Sequence, residues 1–378
     1  MNDSFYQMLK QQALDGKSIS KKDCRLVLQS KTIDLLLLLN AAFHVRQKYW
    51  GKEVTIHILN NVQNGHCSEN CHYCAQSKSS RAAIESYPMK SDQAILNEAK
   101  MAYNSGAFRY CMVFSGKEQG LKRIEHLKRI IESIKRKYPI EVCVSPGFIN
   151  AQQARILKEA GLDRLNHNIN TSKRYYASIC TTHTFDKRLE TLRAAQDVGL
   201  EMCSGVIVGM GETPRDVIDA ALTLRTFKNV KSIPINFFLP IQGTKLSPKS
   251  NLSPEYCLRV LCLYRFLHPR AEIRMAAGRE YHLRDLQVLG LYPANSLFLD
   301  GYLNVKGTSR FQTLQMIKDA GFSIKSEQNL DTLIQKERQC YTKNNHDNTP
   351  LTLKQLSDLH PGHKKNSWHF GSKDPFAL

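Results

Sequence analysis

Three closely spaced cysteines are the strongest chemical signal in the sequence. They lie in the segment Cys67-Ser-Glu-Asn-Cys71-His-Tyr-Cys74, and three thiolates within eight residues can converge on one soft metal centre. Three ligands are one fewer than a closed tetrahedral zinc site needs, which leaves an open position of the kind that a reactive cofactor requires. A structural zinc site that borrows His66, His72 or a remote cysteine is the less favoured alternative.

A second group of candidate ligands lies inside predicted strands. Cys111, Cys143 and Cys203 each stand among apolar residues, and each alone is typical of a buried small side chain. Arg274 does not fit that interpretation, because an arginine in a buried strand needs a partner. Alternate residues of a strand point to one side, so all four side chains can point inward. Three thiolates facing one guanidinium would form a second centre deep in the protein.

The elements that must position these residues alternate along the chain, with short apolar runs followed by longer stretches of helical period. The predicted strands are 54–59, 110–114, 141–144, 164–168, 202–208, 233–238, 272–276 and 296–299, and the predicted helices between them are 92–102, 121–137, 151–160, 185–197, 214–227, 254–267, 283–291 and 311–320. Eight strand–helix units indicate an α/β fold, a (β/α)8 TIM-type barrel. An open doubly wound sheet is the alternative, because alternation does not show closure.

The chain divides into three parts in this interpretation. Residues 1–50 are predicted to be an N-terminal helical segment packed outside the barrel, residues 51–322 form the barrel, and residues 323–378 form a C-terminal extension. The extension is more polar and less periodic than the barrel, and it includes the polar run 344–348. We therefore expect part of it to be disordered.

Composition excludes several classes of protein. Apolar residues make up 42% of the chain and charged residues 23%, which disfavours a disordered or fibrous protein. The longest apolar run, 35–39, is too short to span a bilayer, and the start lacks the basic head and apolar block of a secretion signal. We expect a cytoplasmic protein without a membrane segment, in which the eleven cysteines are not paired as disulfides.

The net charge of +19 permits nucleic acid, anionic substrates or an acidic protein partner. No block of like charge resembles a nucleic-acid-binding arm, so we expect no nucleic acid partner. The densest basic stretch, 122–137, has helical spacing. It is typical of a solvated helix face, and the alternative is a landing patch for an acidic electron donor.

The spacing C-x3-C-x2-C, with an aromatic residue before the last cysteine, resembles the signature of the radical S-adenosylmethionine (SAM) superfamily. The resemblance implies that Cys67, Cys71 and Cys74 hold a 4Fe–4S cluster, that SAM chelates the fourth iron, and that Tyr73 packs near the adenine. It also implies reductive cleavage of SAM to a 5′-deoxyadenosyl radical. The position after the first predicted strand agrees with this, because barrel chemistry occurs at that face.

Four further blocks resemble the biotin synthase family in order and spacing, over about residues 50–322. They are Leu165-Asn-His-Asn-Ile-Asn-Thr-Ser172, Cys203-Ser-Gly-Val-Ile-Val-Gly-Met-Gly-Glu-Thr213, Ile233-Pro-Ile-Asn236 and Arg274-Met-Ala-Ala-Gly-Arg-Glu280. The resemblance implies a 2Fe–2S cluster held by Cys111, Cys143, Cys203 and Arg274. It implies sulfur insertion into dethiobiotin, with the cofactors supplying the chemistry and no acid–base side chain acting. It also implies a homodimer, and the basic surface suits an acidic donor such as flavodoxin or ferredoxin.

The same resemblance assigns contact residues. The implied SAM contacts are Tyr73, Asn168, Asn170, Arg188, Gly205 and Glu212, and the implied dethiobiotin contacts are Asn168, Asn236 and Asn304. An amide can donate and accept hydrogen bonds at once, which suits the neutral ureido ring expected at Asn236. A turn without a ligand is the alternative for the glycine-rich stretch 205–211.

Two positions depart from the family pattern. Asn170 replaces an acidic residue that contacts the ribose, and 303–306 replaces paired threonines that meet the substrate carboxylate. The second departure leaves open a related radical enzyme that acts on another small molecule. The other five cysteines match no family ligand and are predicted to be buried packing residues for the most part; they are Cys24, Cys180, Cys257, Cys262 and Cys340.

Overall fold

A closed parallel sheet forms the centre of the computed structural model, which describes residues 1–246 and 252–344. Its strands are β1 (Glu53–Gln63), β2 (Arg109–Phe114), β3 (Glu141–Ser145), β4 (Arg164–Asn166), β5 (Met202–Cys203), β6 (Val206–Val208), β7 (Val230–Phe237), β8 (Glu272–Met275) and β9 (Ser296–Phe298). Neighbouring strands are parallel, and β9 pairs with β1 through Phe298 and His57. The barrel prediction is confirmed, and the open sheet is excluded.

The predicted strand 202–208 is divided into β5 and β6, which both pair with β7. The backbone of Gly205, between them, lies so close to β7 that a Cβ atom there would be 1.9 Å from the carbonyl oxygen of Pro234. The register also shifts between Met202 and Cys203. Only glycine permits this approach of two backbones, so the single strand that the apolar pattern predicted is interrupted.

Helices cover the outside of the barrel in the order that the alternation predicted. They are α1 (Asp3–Leu14), α2 (Lys21–Gln29), α3 (Leu35–Trp50), α4 (Asp92–Asn104), α5 (Leu121–Lys137), α6 (Ala151–Glu159), α7 (Tyr176–Ile179), α8 (Phe185–Asp197), α9 (Pro214–Arg225), α10 (Pro254–Leu267), α11 (Arg279–Leu283), α12 (Arg310–Asp319) and α13 (Leu330–Asn344). In α5 the buried residues Ile124, Leu127, Ile131 and Ile134 recur at helical spacing, so one face packs on the barrel.

The predicted helix 283–291 is wrong in type. The structure has a 3-10 helix, Arg284–Leu291, directly after the short helix α11. Arg284 has a φ of 51°, a left-handed conformation that an α-helix cannot contain. Gly290 lies against the sulfur of Met275, which would have to move if residue 290 carried a side chain.

The first three helices pack on α10, which is buried along almost its whole length. The guanidinium of Arg259 on α10 donates hydrogen bonds to the carbonyl oxygens of Val27 and Ser30, which lie in and just after α2. These bonds satisfy carbonyls that the end of a helix leaves without intrahelical partners. The N-terminal residues therefore form an outer layer that is attached to the barrel.

The start of the C-terminal extension is ordered in a way that the polar sequence did not indicate. A short strand, β10 (Ser323–Ile324), pairs with the start of β1, and α13 packs against α12 with Leu333 and Ile334 buried. The predicted polar run 344–348 lies outside the described residues except for Asn344, as does the rest of the extension to residue 378. Within the described part, we find no helix with the length and apolarity that a membrane crossing requires.

Candidate active site

A cavity of about 280 Å³ lies at the carboxyl ends of the barrel strands, where barrel enzymes carry their chemistry. It brings together most of the residues that the sequence singled out. Those that line it are Cys67, Cys71, Tyr73, Cys74, Cys111, Cys143, Asn168, Asn170, Arg188, Asn236, Arg274 and Asn304. Cys203 lies just behind this lining, fully buried and within hydrogen-bond reach of Asn166 at 3.4 Å.

The three strand cysteines form one cluster at the floor of the cavity. Cys111 and Cys143 are direct neighbours in the pairing of β2 with β3, and Cys203 joins them in a small buried group with Ala276 and Phe298. Alternation along each strand turns these side chains into the barrel while their neighbours face the helices. The sequence therefore correctly predicted which side of each strand faces inward.

The guanidinium of Arg274 completes this floor. Its Nη1 atom lies 3.5 Å from the sulfur of Cys203. Its Nε atom donates to the hydroxyl of Ser296 at 3.0 Å, and its Nη2 atom donates to the hydroxyl of Ser232 at 2.8 Å. The plane also lies over the ring of Phe298, 4.9 Å from its centre. An arginine held on every side keeps one orientation towards the thiols.

A buried charge network lies beneath Arg274, on the far side from the cavity. The carboxylate of Glu272 pairs with Arg274 and, at 3.1 Å, with Nη1 of Arg109, and His57 lies 3.0 Å from it. Arg109 also pairs with Glu141. Burial alone would raise the pKa of Glu272, but the neighbouring cations outweigh it and hold that pKa well below its usual value.

The electrostatics of the floor favour the thiolate, the form that binds iron, at Cys203 and Cys111. Hydrogen bonds to these two cysteines, together with burial, instead hold the pKa of Cys143 well above its usual value. A hydrogen bond from Cys143 lowers the pKa of Cys203, and the adjacent guanidinium of Arg274 lowers it further. Cys143 and His57 lower the pKa of Cys111 to about 5. Three converging sulfurs beside a fixed cation are a donor set that fits a sulfur-bridged iron cluster.

The loop after β1 carries Cys67, Cys71 and Cys74 to the mouth of the cavity. Its backbone is folded back on itself, because the Cys74 amide donates to the Cys71 carbonyl and the Cys67 amide donates to the Gln76 carbonyl. Gly65 and His66, which precede it, both have left-handed backbone conformations. All three cysteines line the cavity, so the loop can present three thiolates to one group bound there.

A polar wall joins this loop to the floor. The amide nitrogen of Asn170 donates to the hydroxyl of Tyr73 at 2.7 Å. The side-chain oxygen of Asn168 accepts from the backbone amide of Gly205 at 2.9 Å, and its backbone carbonyl accepts from Arg188 at 3.0 Å. Strand β4 ends at Asn166, earlier than predicted; both later asparagines lie in the loop beyond it.

Two buried polar atoms on residues that line the cavity fit a polar ligand. The hydroxyl of Ser115 and Nε2 of His167 have no hydrogen-bond partner among the described residues, and both residues line the cavity. Buried polar groups are rarely left unpaired. A cofactor with amino, carboxylate and hydroxyl groups would provide partners here, as SAM does.

Two predicted cofactor residues are not part of the cavity lining. Gly205 is required where it is for the close approach to Pro234. The carboxylate of Glu212 accepts hydrogen bonds from the backbone amides of Gly209 and Met210 at 2.7 and 2.8 Å. It therefore stabilises the glycine-rich turn, and the geometry gives both residues a structural role.

Two of the three predicted substrate amides, those of Asn236 and Asn304, differ in their surroundings. Asn236 donates to the carbonyl of Val206 at 2.9 Å and accepts from the amide of Ala277 at 3.2 Å, so its orientation is fixed. Asn304 is exposed at the rim, and its amide group lies next to that of Asn64, with a nitrogen–oxygen distance of 2.7 Å. One amide is fixed at depth by the backbone, and the other is paired with the Asn64 amide at the entrance through two hydrogen bonds.

Sequence reasoning missed two groups of residues around this cavity. Cys180 is buried, as predicted, but the sequence did not indicate that its sulfur lies 3.8 Å from the sulfur of Cys71 and 3.4 Å from the ring of His183. His57 and Glu272, which fix Arg274, were not singled out either. Polar residues inside otherwise apolar strands were the available signal for these two. Nothing in the sequence indicated that 180–183 returns to the cysteine loop.

Comparison with protein families divides the chain into two matched regions. Residues 63–224 match the radical SAM superfamily, and residues 234–323 match the biotin and thiamin synthesis associated domain. The first region contains the loop cysteines and the three strand cysteines. The second contains Asn236, Arg274 and Asn304.

Curated relatives extend this similarity over most of the chain. It is 52% identical to the biotin synthase of Magnetococcus marinus over 312 residues, which are 82% of this chain and 97% of that one. It is 52% identical to the biotin synthase of Acaryochloris marina, over 80% of this chain and 88% of that one. It is 42% identical to the biotin synthase of Bacillus velezensis, over 86% and 96%.

Solved structures show the same fold at low sequence identity. Methylornithine synthase matches with a TM-score of 0.72 at 20% identity, covering 86% of this chain and 99% of that one. The FeFe-hydrogenase maturase HydG from Carboxydothermus hydrogenoformans matches with a TM-score of 0.72 at 17% identity, covering 91% and 86%. These two similarities concern the barrel architecture.

Proposed function

The chain belongs to the biotin synthase family, and on that premise we propose that it converts dethiobiotin to biotin by SAM-dependent sulfur insertion. The observation that carries the proposal is the presence of two sets of three cysteines at two depths of one cavity. Cys67, Cys71 and Cys74 lie at the mouth, and the floor group of three cysteines and Arg274 lies at the opposite end. A substrate between them would be within reach of both.

The two sets of cysteines would bind different iron–sulfur clusters in this proposal. The mouth cysteines would hold a 4Fe–4S cluster, and Cys111, Cys143, Cys203 and Arg274 would hold a 2Fe–2S cluster. When bound, the first cluster with SAM supplies the deoxyadenosyl radical that removes hydrogen from unactivated carbon, and the second supplies the sulfur. The protein's own part is to bind, orient and enclose the reactants.

The asparagines on the cavity wall orient the small molecules. Asn236, fixed by two backbone hydrogen bonds, retains a second N–H and a second lone pair that can meet the ureido ring of dethiobiotin. Asn168, between Arg188 and Gly205, lies where it can contact SAM and substrate together. Because these side chains are fixed before the small molecules bind, less entropy is lost when the reactants are brought into the reactive geometry.

Apolar side chains exclude water between the two ends of the cavity. Leu59, Met112, Phe298 and Tyr302 line it, and Phe298 and Tyr302 pack edge to face with ring centres 5.4 Å apart. A radical that met solvent or a loose side chain would be lost to side reactions. The dry lining therefore protects the transfer.

The rim at 303–306 is proposed to meet the substrate carboxylate in place of the missing threonines. Asn304 lines the main cavity, and Lys306 lines an adjoining groove beside Gly301 and Tyr302. An amide donor with a nearby ammonium group is a chemically adequate partner for a carboxylate. This is also the position where a change of substrate within the superfamily would arise.

An acidic electron donor, such as flavodoxin or ferredoxin, is proposed to dock on the cavity side of the barrel. Helix α5 begins just after the cavity residue Lys117 and runs away from it for about 25 Å, so the basic cluster 135–137 lies at the opposite end. Lys78 and Arg81 are exposed just after the cysteine loop. Their replacement by glutamate should slow reduction by the donor, whereas Lys137→Glu should not.

We also propose a homodimer. Exposed apolar side chains, including Tyr281 and Leu286 on and after α11, support a contact between copies, since surface apolar residues close together mark interfaces. Sedimentation of the wild type against a Tyr281→Ser/Leu286→Ser double variant tests it. The proposal requires a dimer that the double variant weakens, and a monomeric wild type would refute it.

The function is tested by turnover of anaerobically reconstituted protein with SAM, reductant and dethiobiotin, with biotin measured by mass spectrometry. The expected result is biotin with release of deoxyadenosine, both abolished in Cys67→Ala. Deoxyadenosine without biotin would favour a related radical enzyme with another substrate, and would place the difference at Asn304 and its neighbours. Absence of both products in the loaded wild type would refute the proposal.

A further inference from the structure

A group of potential metal ligands lies beside the cysteine loop and includes two residues outside the family signature. Cys71, Cys180 and His183 are buried, and their ligand atoms all lie within 4.8 Å of one another. Cys180 and His183 follow α7, more than a hundred residues along the chain from Cys71. The backbone amide of His72 donates to the carbonyl of Ile179 at 2.8 Å, so the two segments are held together.

The distances in this group are those of a tetrahedral metal site. Bond lengths of about 2.3 Å for zinc–sulfur and 2.0–2.1 Å for zinc–nitrogen give about 3.8 Å between two sulfurs and about 3.6 Å between sulfur and nitrogen. The two sulfurs lie 3.8 Å apart, and the Cys180 sulfur lies 3.7 Å from Nε2 of His183. The same sulfur lies 3.4 Å from Nδ1, and the hydroxyl of Tyr176 lies 2.8 Å from Nε2, so the imidazole ring must turn from Tyr176 towards the sulfurs when an ion binds.

The histidine is oriented as metal-bound histidines usually are. Its Nδ1 atom is hydrogen-bonded to the carboxylate of Glu69, which also accepts from the hydroxyl of Thr182 at 2.6 Å. A carboxylate on one ring nitrogen fixes the tautomer and leaves the other nitrogen as the ligand. The present partner of Nε2 is the hydroxyl of Tyr176 at 2.8 Å. This hydroxyl also accepts a hydrogen bond from Arg188, and it would keep the bond with Arg188 after Nε2 binds an ion.

An ion can reach the group from the cavity, because Glu69, Cys71 and His183 all line it. We propose that Cys71, Cys180 and His183 bind one zinc-type divalent ion in the cluster-free chain, and that this ion competes with the 4Fe–4S cluster for Cys71. Binding displaces the protons of both thiols to solvent, leaves the oxidation states unchanged, and leaves one tetrahedral position for water. The ion site stands on its own geometry; only the competition rests on the proposed function.

The test uses Co²⁺ as a spectroscopic substitute for zinc on reduced, chelator-treated full-length protein under argon. The expected result is one Co²⁺ per chain, with the intense visible bands of a tetrahedral ion and a thiolate charge-transfer band, displaced by an equivalent of Zn²⁺. Cys180→Ser should weaken binding more than about a hundredfold, since loss of a ligand exceeds the 10–100-fold loss for an outer partner. Glu69→Gln, which keeps all three ligands, should weaken it about 10–100-fold.

Two control variants locate the ion. Cys262→Ser removes a buried cysteine of α10 and should leave the titration unchanged. Cys67→Ser removes a signature cysteine outside the group and should also leave it unchanged. The proposal is overturned if Cys180→Ser binds Co²⁺ as the wild type does, or if Cys67→Ser loses binding as fully as Cys180→Ser, because the signature loop alone would then be the site.

Competition is measured as the rate of 4Fe–4S assembly, followed by absorbance, after addition of one equivalent of Zn²⁺. Assembly should be slowed in the wild type and little affected in Cys180→Ser, which retains all three signature cysteines. Equal slowing of both proteins would overturn the competition. Failure of the biotin assay with a positive Co²⁺ titration would refute the proposed function and leave the ion site intact, so the two can be separated.

Discussion

The guanidinium of Arg274 lies 3.5 Å from the sulfur of Cys203, while hydroxyls of Ser232 and Ser296 hold its other nitrogens. A long, charged side chain ordinarily avoids the centre of a barrel. Here three short contacts and the carboxylate of Glu272 fix it in one position. The fixed positive charge of Arg274 stabilises the thiolate form of Cys203.

The floor group should hold iron independently of the mouth group. We expect Cys203→Ala, reconstituted with iron and sulfide, to retain the iron and sulfide of a 4Fe–4S cluster and to lose those of a 2Fe–2S cluster. Mössbauer spectroscopy with metal analysis distinguishes the two. SAM cleavage to deoxyadenosine should persist, because the mouth cysteines are untouched. Full iron content in Cys203→Ala would refute the assignment of this ligand.

The buried carboxylate of Glu272 should be important for stability. It faces Arg109, Arg274 and His57 with almost no solvent exposure. Loss of its charge leaves Arg274 buried without a carboxylate partner, while Arg109 keeps Glu141. We expect Glu272→Gln to lower the free energy of unfolding by about 3–5 kcal/mol in urea titrations of the cluster-free protein. The exposed pair of Glu190 with Lys187 provides the control, since Glu190→Gln should change it by less than about 1 kcal/mol. If Glu272→Gln lowered the free energy of unfolding as little as Glu190→Gln does, the buried network would not contribute to stability as described.

The close approach at Gly205 should not tolerate a methyl group. A Cβ atom there would lie 1.9 Å from the carbonyl oxygen of Pro234, which belongs to the backbone and cannot rotate away. Gly205→Ala is expected to cost about 3 kcal/mol, the upper end of overpacking effects, measured by thermal or urea unfolding. At Gly120 an added Cβ would have no atom within 4 Å apart from its chain neighbours. Gly120→Ala should therefore change the free energy of unfolding by less than about 1 kcal/mol. An unaltered Gly205→Ala protein would mean that β5 and β6 do not approach β7 as described.

A carboxylate at position 170 should bind the cofactor more tightly. Asn170 has a φ of 67°, a conformation that aspartate also adopts. The hydroxyl of Tyr73 accepts a hydrogen bond from Asn170 and can instead donate one to an aspartate. An ionised acceptor adds about 1 kcal/mol over a neutral one, so Asn170→Asp should lower the Kd for SAM about fivefold in calorimetry of the 4Fe–4S form. Unchanged or weaker binding would show that this residue does not meet the ribose.

Much of the architecture could be predicted from local patterns. Apolar runs separated by amphipathic stretches predicted the barrel, because parallel strands buried on both sides have that composition. Alternation also placed Cys111, Cys143 and Arg274 on the inner side. The interruption at Gly205 could not be predicted, since it depends on a backbone contact with Pro234 far along the chain.

The environment of the cavity was less predictable than its ligands. Cys180 and Glu212 were assigned from the sequence alone, as a packing residue and a cofactor contact respectively. In the structure Cys180 lies 3.8 Å from Cys71, and Glu212 caps a turn outside the cavity lining. The buried position predicted for Cys180 is confirmed, and its contact with Cys71 arises from packing between segments that no sequence spacing relates. The hydrogen bonds of Glu212 are local, and its contact with a cofactor stays a prediction. Charge patterning similarly did not indicate which end of α5 faces the cavity.

The origin of the inserted sulfur tests the central claim most directly. The protein would be reconstituted anaerobically with ³⁴S-sulfide, freed of excess sulfide, and given SAM, reductant and dethiobiotin. The account predicts that biotin from the first turnover carries ³⁴S, and that Cys111→Ala and Arg274→Ala cleave SAM but form far less labelled biotin. Unlabelled biotin formed at the normal rate, or full labelling in both variants, would contradict a sulfur source held by the floor group.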